Sequence, residues 1–203
     1  MYQDSLFSSN SPQVFNFCGG QLVLYTGFIP LNDAHKMLHT LHTELAWTQS
    51  EIHIAGQKRL IPRLNCWMGD QNSDYSYSGT PMIRHEWNQT CLTIKELIQE
   101  VTPHHFNSVL ANLYRDGQDS VSWHSDDEKE LGQNPFIGVV SLGQSRRFDL
   151  RSKQDHNNKF SIELNNGSLL LMSGKLQHTT EHCIKKTAQF CAPRISLTFR
   201  TII

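Results

Sequence analysis

The chain lacks a long apolar run, an even set of cysteines and any marked net charge. Its hydrophobic stretches fall short of the roughly 20 residues that a transmembrane helix needs, and Met1-Tyr2-Gln3-Asp4 lacks the basic flank of a secretory signal. Five cysteines at wide spacings argue against a disulfide framework, so reduced thiols are expected. A net charge of −1 argues against a protein that coats nucleic acid through charge alone. We expect a globular, monomeric protein inside the cell, in the cytoplasm or the nucleus, with no membrane partner.

The periodicity of the apolar residues predicts an α+β fold. Apolar side chains recur at helical spacing over 34–45 and 92–101, which predicts two helices. Beyond residue 107, short β-prone runs alternate with turn residues about every 8–12 positions, a spacing typical of a β-sandwich or jelly roll. Those predicted strands are 108–114, 120–124, 137–142, 147–152, 160–164, 168–172 and 194–201. Earlier in the chain, 21–25 predicts a strand and 52–61 a hairpin.

These elements suggest one compact unit in three parts. Residues 1–19, rich in Ser, Asn and Gln, are expected to be loosely ordered. Residues 20–106 would hold the helices and a nucleotide-recognition region, and residues 107–203 the jelly-roll core with the helices packed on one sheet. The middle part mixes aromatic, small and basic residues, which suits a face that stacks bases and contacts phosphates. Ordinary aromatic packing under loops is the alternative.

His124 and Asp126 form the most informative pair of residues. They are two positions apart, so in an extended chain both side chains leave the same face. A second imidazole from a distant segment would complete two histidines and one carboxylate. That set holds one face of an octahedral Fe(II) and leaves the other positions open. His178 and His182 could each supply the imidazole.

The segment 194–200 (RISLTFR) alternates polar and apolar residues. Arg194 and Arg200 therefore share one face of a core strand, where they are costly unless anions pair with them. A small dicarboxylate would suit, since each planar guanidinium can hold a carboxylate through two N–H groups. Internal pairs with Asp or Glu are the alternative. Asn112 and Tyr114 share a face of the predicted strand 108–114 and could bind the same ligand.

Several further motifs follow one another over residues 50–203. In order they are Ile61-Pro62-Arg63, Gly69-Asp70, Tyr75-x-Tyr77-Ser78-Gly79, Asn112-Leu113-Tyr114-x-Asp116-Gly117, His124-x-Asp126-Asp127-Glu128, Ser141-Leu142-Gly143, Arg147-Phe148, Gly167-Ser168-Leu169-Leu170-x-Met172, His182 and Pro193-Arg194-x-Ser196-Leu197-Thr198-Phe199-Arg200. Together they resemble the AlkB family of Fe(II)/2-oxoglutarate dioxygenases, and within it the branch that repairs alkylated DNA and RNA.

The resemblance implies Fe(II), 2-oxoglutarate and O2 as cofactors. Iron would be held by His124, Asp126 and His182, because the family's spacing to the arginine strand favours His182 over His178. The two ends of 2-oxoglutarate would be gripped by Arg194 and Arg200, and which arginine takes which end stays open. The residues that would assist them are Asn112, Tyr114 and Ser196. The family usually has Asn at the position of Ser196. Because serine reaches less far than asparagine, we expect slightly weaker binding of the cofactor.

The resemblance also implies residues that bind the substrate. Tyr77 would stack on the flipped damaged base, Glu128 would approach its edge, and Asp127 would brace the site. Candidates for contacts with the nucleic-acid backbone are Lys58, Arg59, Arg63, Lys185 and Lys186. Members that repair duplexes carry a bulky apolar wedge at a hairpin tip, where this chain has Ala55. A wedge offsets part of the cost of extruding a base, so we predict a preference for single strands.

The function implied is oxidative demethylation of 1-methyladenine and 3-methylcytosine in DNA, and potentially in RNA. Two rivals remain at this point. The same core could act on a protein or lipid substrate. Alternatively, His178 and His182 with Cys183 and Cys191 could form a zinc hydrolase or binding module. Thr179-Thr180 replaces the Glu that a zincin helix needs beside its first histidine, and the cysteines match no paired Cys-x-x-Cys pattern.

Overall fold

A computed structural model describes residues 11–54, 57–71, 73, 76–77 and 80–203, with the backbone alone at 52–54, 76–77 and 80–81. In this part of the chain the α-helices are α1 (Leu31–Glu44), α2 (Gln89–Val101) and the short α3 (Leu176–Thr179), and Lys129–Leu131 forms one turn of 3-10 helix. The strands are β1 (Gln13–Phe17), β2 (Gly20–Tyr25), β3 (Glu51–Ile54), β4 (Gln57–Leu60), β5 (Leu64–Gly69), β6 (Ser76–Tyr77), β7 (Thr80–Pro81), β8 (Arg84–His85), β9 (Ser108–Tyr114), β10 (Val121–His124), β11 (Ile137–Gly143), β12 (Arg146–Ser152), β13 (Lys159–Leu164), β14 (Ser168–Gly174), β15 (Thr180–Ile184) and β16 (Arg194–Arg200). None of the described helices is long and apolar enough to cross a membrane.

Most of the strands form two sheets that face each other as a jelly-roll sandwich. The large sheet has eight strands in the order β1-β2-β14-β11-β16-β9-β5-β8, and the small sheet has four in the order β10-β15-β12-β13. Buried apolar side chains fill the space between them, among them Phe148 and Leu150 from the small sheet and Leu170 and Met172 from the large one. The predicted α+β fold with a jelly-roll core is confirmed. The β3–β4 and β6–β7 hairpins are separate from both sheets.

Helices α1 and α2 cover the outer face of the large sheet, because each presents one apolar stripe. Leu41 of α1 and Ile98 of α2 are fully buried in one cluster with Leu197 of β16. The start of α2 is fixed by Asn88, whose side chain accepts a hydrogen bond from the backbone N–H of Thr90 at 2.9 Å. With the helices on its outer face, the large sheet turns its other face towards the small sheet.

Strand β16 separates the helix layer from the space between the sheets, and its alternation follows the sequence prediction. The residues that face the inter-sheet cavity are Arg194, Ser196, Thr198 and Arg200, and those under the helices are Ile195, Leu197 and Phe199. The neighbouring β9 pairs with β16 so that Asn112 lies opposite Ser196 and Tyr114 opposite Arg194. Polar side chains of two adjacent central strands therefore gather inside the sandwich.

The amino-terminal part is more closely joined to the core than the sequence predicts. Gln13–Phe17 forms the edge strand β1, so the prediction of a loosely ordered segment over 1–19 is wrong for these residues. Phe15 and Phe17 pack against Phe160 of the small sheet, with ring centroids 5.2 and 5.9 Å apart, a non-local contact that no sequence pattern shows. Strands β2, β5 and β8 also belong to the large sheet, which therefore continues across the predicted division at residue 106.

Candidate active site

His124, Asp126 and His182 come together at the cavity between the sheets. One ligand atom of each lies within 4.8 Å of the others, and in the described part of the chain no other group of three His, Cys, Asp or Glu side chains does so. His124 on β10 and His182 on β15 are register partners, so strand pairing sets the imidazoles side by side. The Asp126 carboxylate lies 3.9 Å from His124 Nε2 and 4.0 Å from His182 Nε2. The three donors could hold a divalent metal.

Both imidazoles are kept in the neutral form that binds a metal. His124 Nδ1 lies 2.8 Å from the carbonyl oxygen of Ser122 and must donate the proton, which leaves the lone pair on Nε2 beside Asp126. Burial lowers the pKa of His124, and burial together with the neighbouring His124 lowers the pKa of His182 to about 3. His182 Nδ1 is buried without a hydrogen-bond partner among the described residues.

Arg200 keeps Asp126 ionised. Its Nη2 donates to Asp126 Oδ1 at 2.7 Å, and both side chains are buried. Burial alone would raise the pKa of Asp126, but the charge of Arg200, helped by the two imidazoles, lowers that pKa to about 2. The carboxylate is therefore an anionic ligand at neutral pH. The sequence left open whether the two buried arginines pair with an acidic residue of the chain or with a bound diacid, and Arg200 pairs with an acidic residue, Asp126.

Arg194 is different, because no carboxylate of the described residues pairs with it. The residue is 1% exposed, and its Nε donates to Ser141 Oγ at 2.9 Å. The guanidinium carbon lies 5.1 Å from the centre of the Tyr114 ring, and Nη1 is buried without a hydrogen-bond partner in the described structure. Burial lowers the pKa of Arg194. A carboxylate beside it would satisfy this donor and offset the cost of burying the charge.

One cavity contains both sets of residues. Its polar wall consists of Arg63, Asn112, Tyr114, His124, Asp126, His182, Arg194, Ser196, Thr198 and Arg200. Apolar side chains such as Val139 and Phe148 complete the lining. Two neutral imidazoles and one carboxylate fit Fe(II), and the unused donor of Arg194 fits one end of a small diacid.

Known proteins are similar to this chain in sequence. The model of the 2OG-Fe(II) oxygenase superfamily matches residues 21–200. The human alpha-ketoglutarate-dependent dioxygenase alkB homolog 3 is 37% identical over 191 residues, which cover 90% of this chain and 66% of the human one. The mouse DNA oxidative demethylase ALKBH2 is 30% identical over 189 residues, which cover 88% of this chain and 79% of the mouse one. The chain belongs to the AlkB family.

The fold agrees with membership of the AlkB family. A solved structure of OsALKBH1 superposes with a TM-score of 0.66 over 94% of this chain and 99% of that one, at 14% identity. Fe(II) and 2-oxoglutarate are the metal and the co-substrate for which the superfamily is named. This chain spans 66% of the length of the human relative, so the activity of that whole protein is a proposal for this chain.

The acidic residues that the AlkB resemblance assigns to the substrate follow the metal set directly. We call residues 125–127 the metal loop. Asp127 is exposed and pairs with Lys153 Nζ at 2.9 Å, so it ties the metal loop to the end of β12. Glu128 is half-buried beside it. The side chain of Tyr77 lies outside the described residues.

The basic residues proposed to contact nucleic acid are exposed, with one exception. Lys58 and Arg59 lie on the fully exposed strand β4 of the β3–β4 hairpin, and Lys58 pairs loosely with Glu51 at 3.4 Å. Lys185 and Lys186 are exposed just after β15. Lys185 also pairs with Asp149 at 2.8 Å, and the contacts of these lysines and of Arg59 with nucleic acid stay predictions.

Arg63 is the exception. It is 4% exposed and lies in the cavity wall, where Nε donates to Asn112 Oδ1 at 2.8 Å and Nη1 to the carbonyl oxygen of Ser120 at 3.3 Å. Arg63 therefore lies inside the sandwich and not on the exposed surface, and its predicted contact with the nucleic-acid backbone stays a prediction. Its guanidinium finds acceptors inside the sandwich and orients Asn112, a residue predicted to bind 2-oxoglutarate.

The alternative ligand sets do not form in the described structure. His178 is exposed, and its Nε2 accepts a hydrogen bond from the backbone N–H of Asn134 at 3.1 Å, away from the metal set. All five cysteines are unpaired, and neither Cys183 nor Cys191 joins the His124–Asp126–His182 group. Nothing in the described residues therefore supports the zinc alternative.

Two polar residues contact the site without having a role in the sequence prediction. Ser141 accepts the hydrogen bond from Arg194 Nε, and a lone serine in the apolar run IGVVSLG is a signal that could have found it. Gln177 accepts a hydrogen bond from the backbone N–H of Asp126 at 3.0 Å. No sequence pattern marks Gln177, because the two residues are 51 positions apart.

Proposed function

We propose that this AlkB-family chain oxidatively removes methyl groups from ring nitrogens of nucleic-acid bases, using Fe(II), 2-oxoglutarate and O2. One observation carries the proposal: the His124–Asp126–His182 group opens onto the same cavity as Arg194, a buried guanidinium with an unused donor. The name of the mouse relative, DNA oxidative demethylase, supports DNA as the substrate class. We expect 1-methyladenine and 3-methylcytosine as the damaged bases, in DNA and also in RNA.

The residues of the chain contribute binding and placement. His124, Asp126 and His182 would hold iron through the nitrogen and oxygen atoms that already converge. Iron bound there supplies the oxidation, in which O2 is consumed, 2-oxoglutarate becomes succinate and CO2, and the oxidised methyl group leaves the base as formaldehyde. Holding the reacting groups in one cavity lowers the entropic part of the reaction barrier, because the groups no longer have to meet in solution.

The two arginines are assigned to opposite ends of 2-oxoglutarate. Arg200 donates to Asp126 and therefore lies at the metal set. Arg194 lies six residues earlier on the same strand, with Ser141 and Tyr114 beside it. We assign the carboxylate nearer the metal to Arg200 and the remote carboxylate to Arg194. The hydroxyl of Ser196 and the amide of Asn112, opposite each other in the ladder, would complete the polar wall.

Charge would provide the selectivity for damaged bases. Methylation at the ring nitrogen of adenine or cytosine leaves the base cationic, and a carboxylate near its edge attracts the cation more strongly than the neutral base. Half-buried Glu128 is the residue proposed for this contact, and Asp127, held by Lys153, would brace it. Tyr77 is proposed to stack on the base, and Lys58 and Arg59 to contact the backbone.

We further propose that the chain prefers single strands and acts as a monomer inside the cell. Ala55, which lies outside the described residues, is too small to fill the gap left by an extruded base. Without a wedge, the unstacking cost of a few kcal/mol in a duplex is not offset.

Release of formaldehyde from oligonucleotides tests the proposal. Protein reconstituted with Fe(II) would be given matched single- and double-stranded oligonucleotides with one 3-methylcytosine, with and without 2-oxoglutarate. We expect release that requires 2-oxoglutarate, is faster on single strands and disappears in His182→Ala. Ala55→Phe should raise the double- to single-strand ratio. No release from oligonucleotides, with release from a panel of methylated peptides, would contradict the proposal and favour a protein substrate.

A further inference from the structure

Asp126 is the one member of the metal set that no strand holds. His124 and His182 lie on β10 and β15 and are register partners, so the backbone ladder fixes both imidazoles. β10 ends at His124, and Asp126 follows in the metal loop. Its carboxylate accepts from Arg200, but that bond restrains only the end of the side chain. Something else must hold the backbone of the metal loop.

Gln177 provides that restraint. The residue is 1% exposed on α3, and its Oε1 accepts the backbone N–H of Asp126 at 3.0 Å. Its Nε2 lies 3.7 Å from Met172 Sδ, a weak acceptor, so the other end of the amide also has a partner. A buried amide with both ends engaged has a single favourable orientation, which points its oxygen at Asp126.

The residues on either side of Asp126 are tied to the same segment. Ser125 Oγ donates to the carbonyl oxygen of Thr180 at 2.8 Å. Lys153 Nζ donates to Asp127 at 2.9 Å and to the carbonyl oxygen of Gln177 at 3.1 Å. All three residues of the metal loop are therefore linked to 177–180, directly or through Lys153. Residues 177–180 run from α3 directly into β15, the strand that carries His182 two positions later.

We propose that Gln177 is a positioning residue that fixes the Asp126 ligand relative to His182. The inference rests on the proposed function, since it requires that His124, Asp126 and His182 bind a metal. Among the described residues, the Gln177 side chain is hydrogen-bonded to the backbone of Asp126 and to Met172, and to neither ligand side chain. It acts through the backbone, by holding the loop that carries the carboxylate against the segment that carries the second imidazole. Outer-shell partners of this kind typically contribute about 10–100-fold to metal affinity.

Three substitutions separate positioning from general packing. Gln177→Met is close in size but removes the acceptor and leaves the N–H of Asp126 without a partner. Gln177→Glu keeps an acceptor oxygen at that place and serves as the conservative rescue. The matched control is His178→Ala, which removes a neighbouring α3 side chain and its hydrogen bond from Asn134 without touching the metal loop.

The test is titration of the metal-free full chain with cobalt(II), followed by calorimetry and by the visible absorption of the bound ion. We expect the dissociation constant of Gln177→Met to rise about tenfold or more, and those of Gln177→Glu and His178→Ala to stay within about threefold of the wild type. An unchanged constant in Gln177→Met, or an equal loss in His178→Ala, would overturn the positioning role. Absence of cobalt binding by the wild type would instead overturn the proposed function.

Thermal unfolding of the metal-free proteins would show whether Gln177→Met folds. If it does not fold, a further variant tests the same proposal. Lys153→Met removes the tether between Asp127 and the carbonyl of Gln177 but leaves the Gln177 amide in place. We expect its cobalt dissociation constant to rise severalfold, with the absorption spectrum of the bound ion altered. A constant and a spectrum equal to those of the wild type would contradict the account of the metal loop.

Discussion

Arg200 and Asp126 form a buried ion pair that joins the two sheets, with Nη2 of one 2.7 Å from Oδ1 of the other. Arg200 ends β16 of the large sheet, whereas Asp126 follows β10 of the small one. The arginine strand and the metal set are therefore linked inside the closed sandwich. Removing one partner of a buried pair leaves an uncompensated charge, which typically costs about 3–5 kcal/mol.

Arg200→Met should therefore destabilise the metal-free protein by about 3 kcal/mol, measured by denaturant unfolding. Added cobalt(II) should recover more stability in the variant than in the wild type, because the ion replaces the lost positive charge beside Asp126. Arg115→Met is the control, since its pair with Asp119 lies outside the cavity and should show no dependence on metal. A loss below about 1 kcal/mol would contradict the importance of the pair.

Arg194→Lys should weaken binding of 2-oxoglutarate without affecting the metal. A lysine cannot hold a carboxylate through two parallel N–H bonds, and the loss of one charged hydrogen bond, about 1.5–3 kcal/mol, corresponds to at least a tenfold rise in KM. The measurement is KM for 2-oxoglutarate, with the cobalt dissociation constant as reference. Arg147→Lys, on the exposed side of β12, should leave both unchanged. An unaltered KM in Arg194→Lys would exclude Arg194 as the anchor.

Glu128→Gln should reduce selectivity for damaged bases more than it reduces uncoupled turnover of 2-oxoglutarate. The carboxylate attracts the cationic base by about 1–4 kcal/mol at close range, so kcat/KM for 3-methylcytosine should fall about tenfold or more. The 2-oxoglutarate consumed without oligonucleotide should be unchanged, because Glu128 does not belong to the metal set. Equal losses in both assays would place Glu128 outside the base pocket.

Asp149 should make the small sheet sensitive to acid. Burial works to raise the pKa of Asp149, but hydrogen bonds from Lys185, Ser161 and Arg147 outweigh it and lower that pKa. The unfolded chain therefore takes up the proton first. The stabilisation is fully present above the ordinary pKa of about 3.9 and is lost as the pH falls through the lower folded value. Asp149→Asn should flatten the dependence of unfolding free energy on pH below about 5, and an unchanged slope would contradict this.

The residues of β16 and β9 could be predicted from sequence because their arrangement is local. Alternation within RISLTFR places Arg194 and Arg200 on one face of β16, and alternation within 108–114 does the same for Asn112 and Tyr114 on β9. Each of these statements depends on residues a few positions apart. The structure adds the partner strand and the opposite sheet but does not change the face on which the residues lie.

Other features depend on contacts between distant segments. Arg63 looks like a surface residue until Asn112, 49 positions away, is found to accept its hydrogen bond. Strand β15, TEHCI, is short and follows a helical turn, so the sequence shows no strand pattern there. His182 could be predicted as a ligand only from its spacing to the arginine strand in the family. Strand β5, LNCWMG, is buried on both faces and therefore shows no alternation. Gln177 has no pattern at all, because its role exists only once Asp126 lies beside it.

A crystal structure with manganese(II) and a non-reactive analogue of 2-oxoglutarate tests the central claim most directly. We predict manganese bound by His124, Asp126 and His182, with the remote carboxylate of the analogue on Arg194. Metal bound elsewhere, the three side chains turned away from one another, or an analogue that leaves Arg194 without a contact would contradict the account.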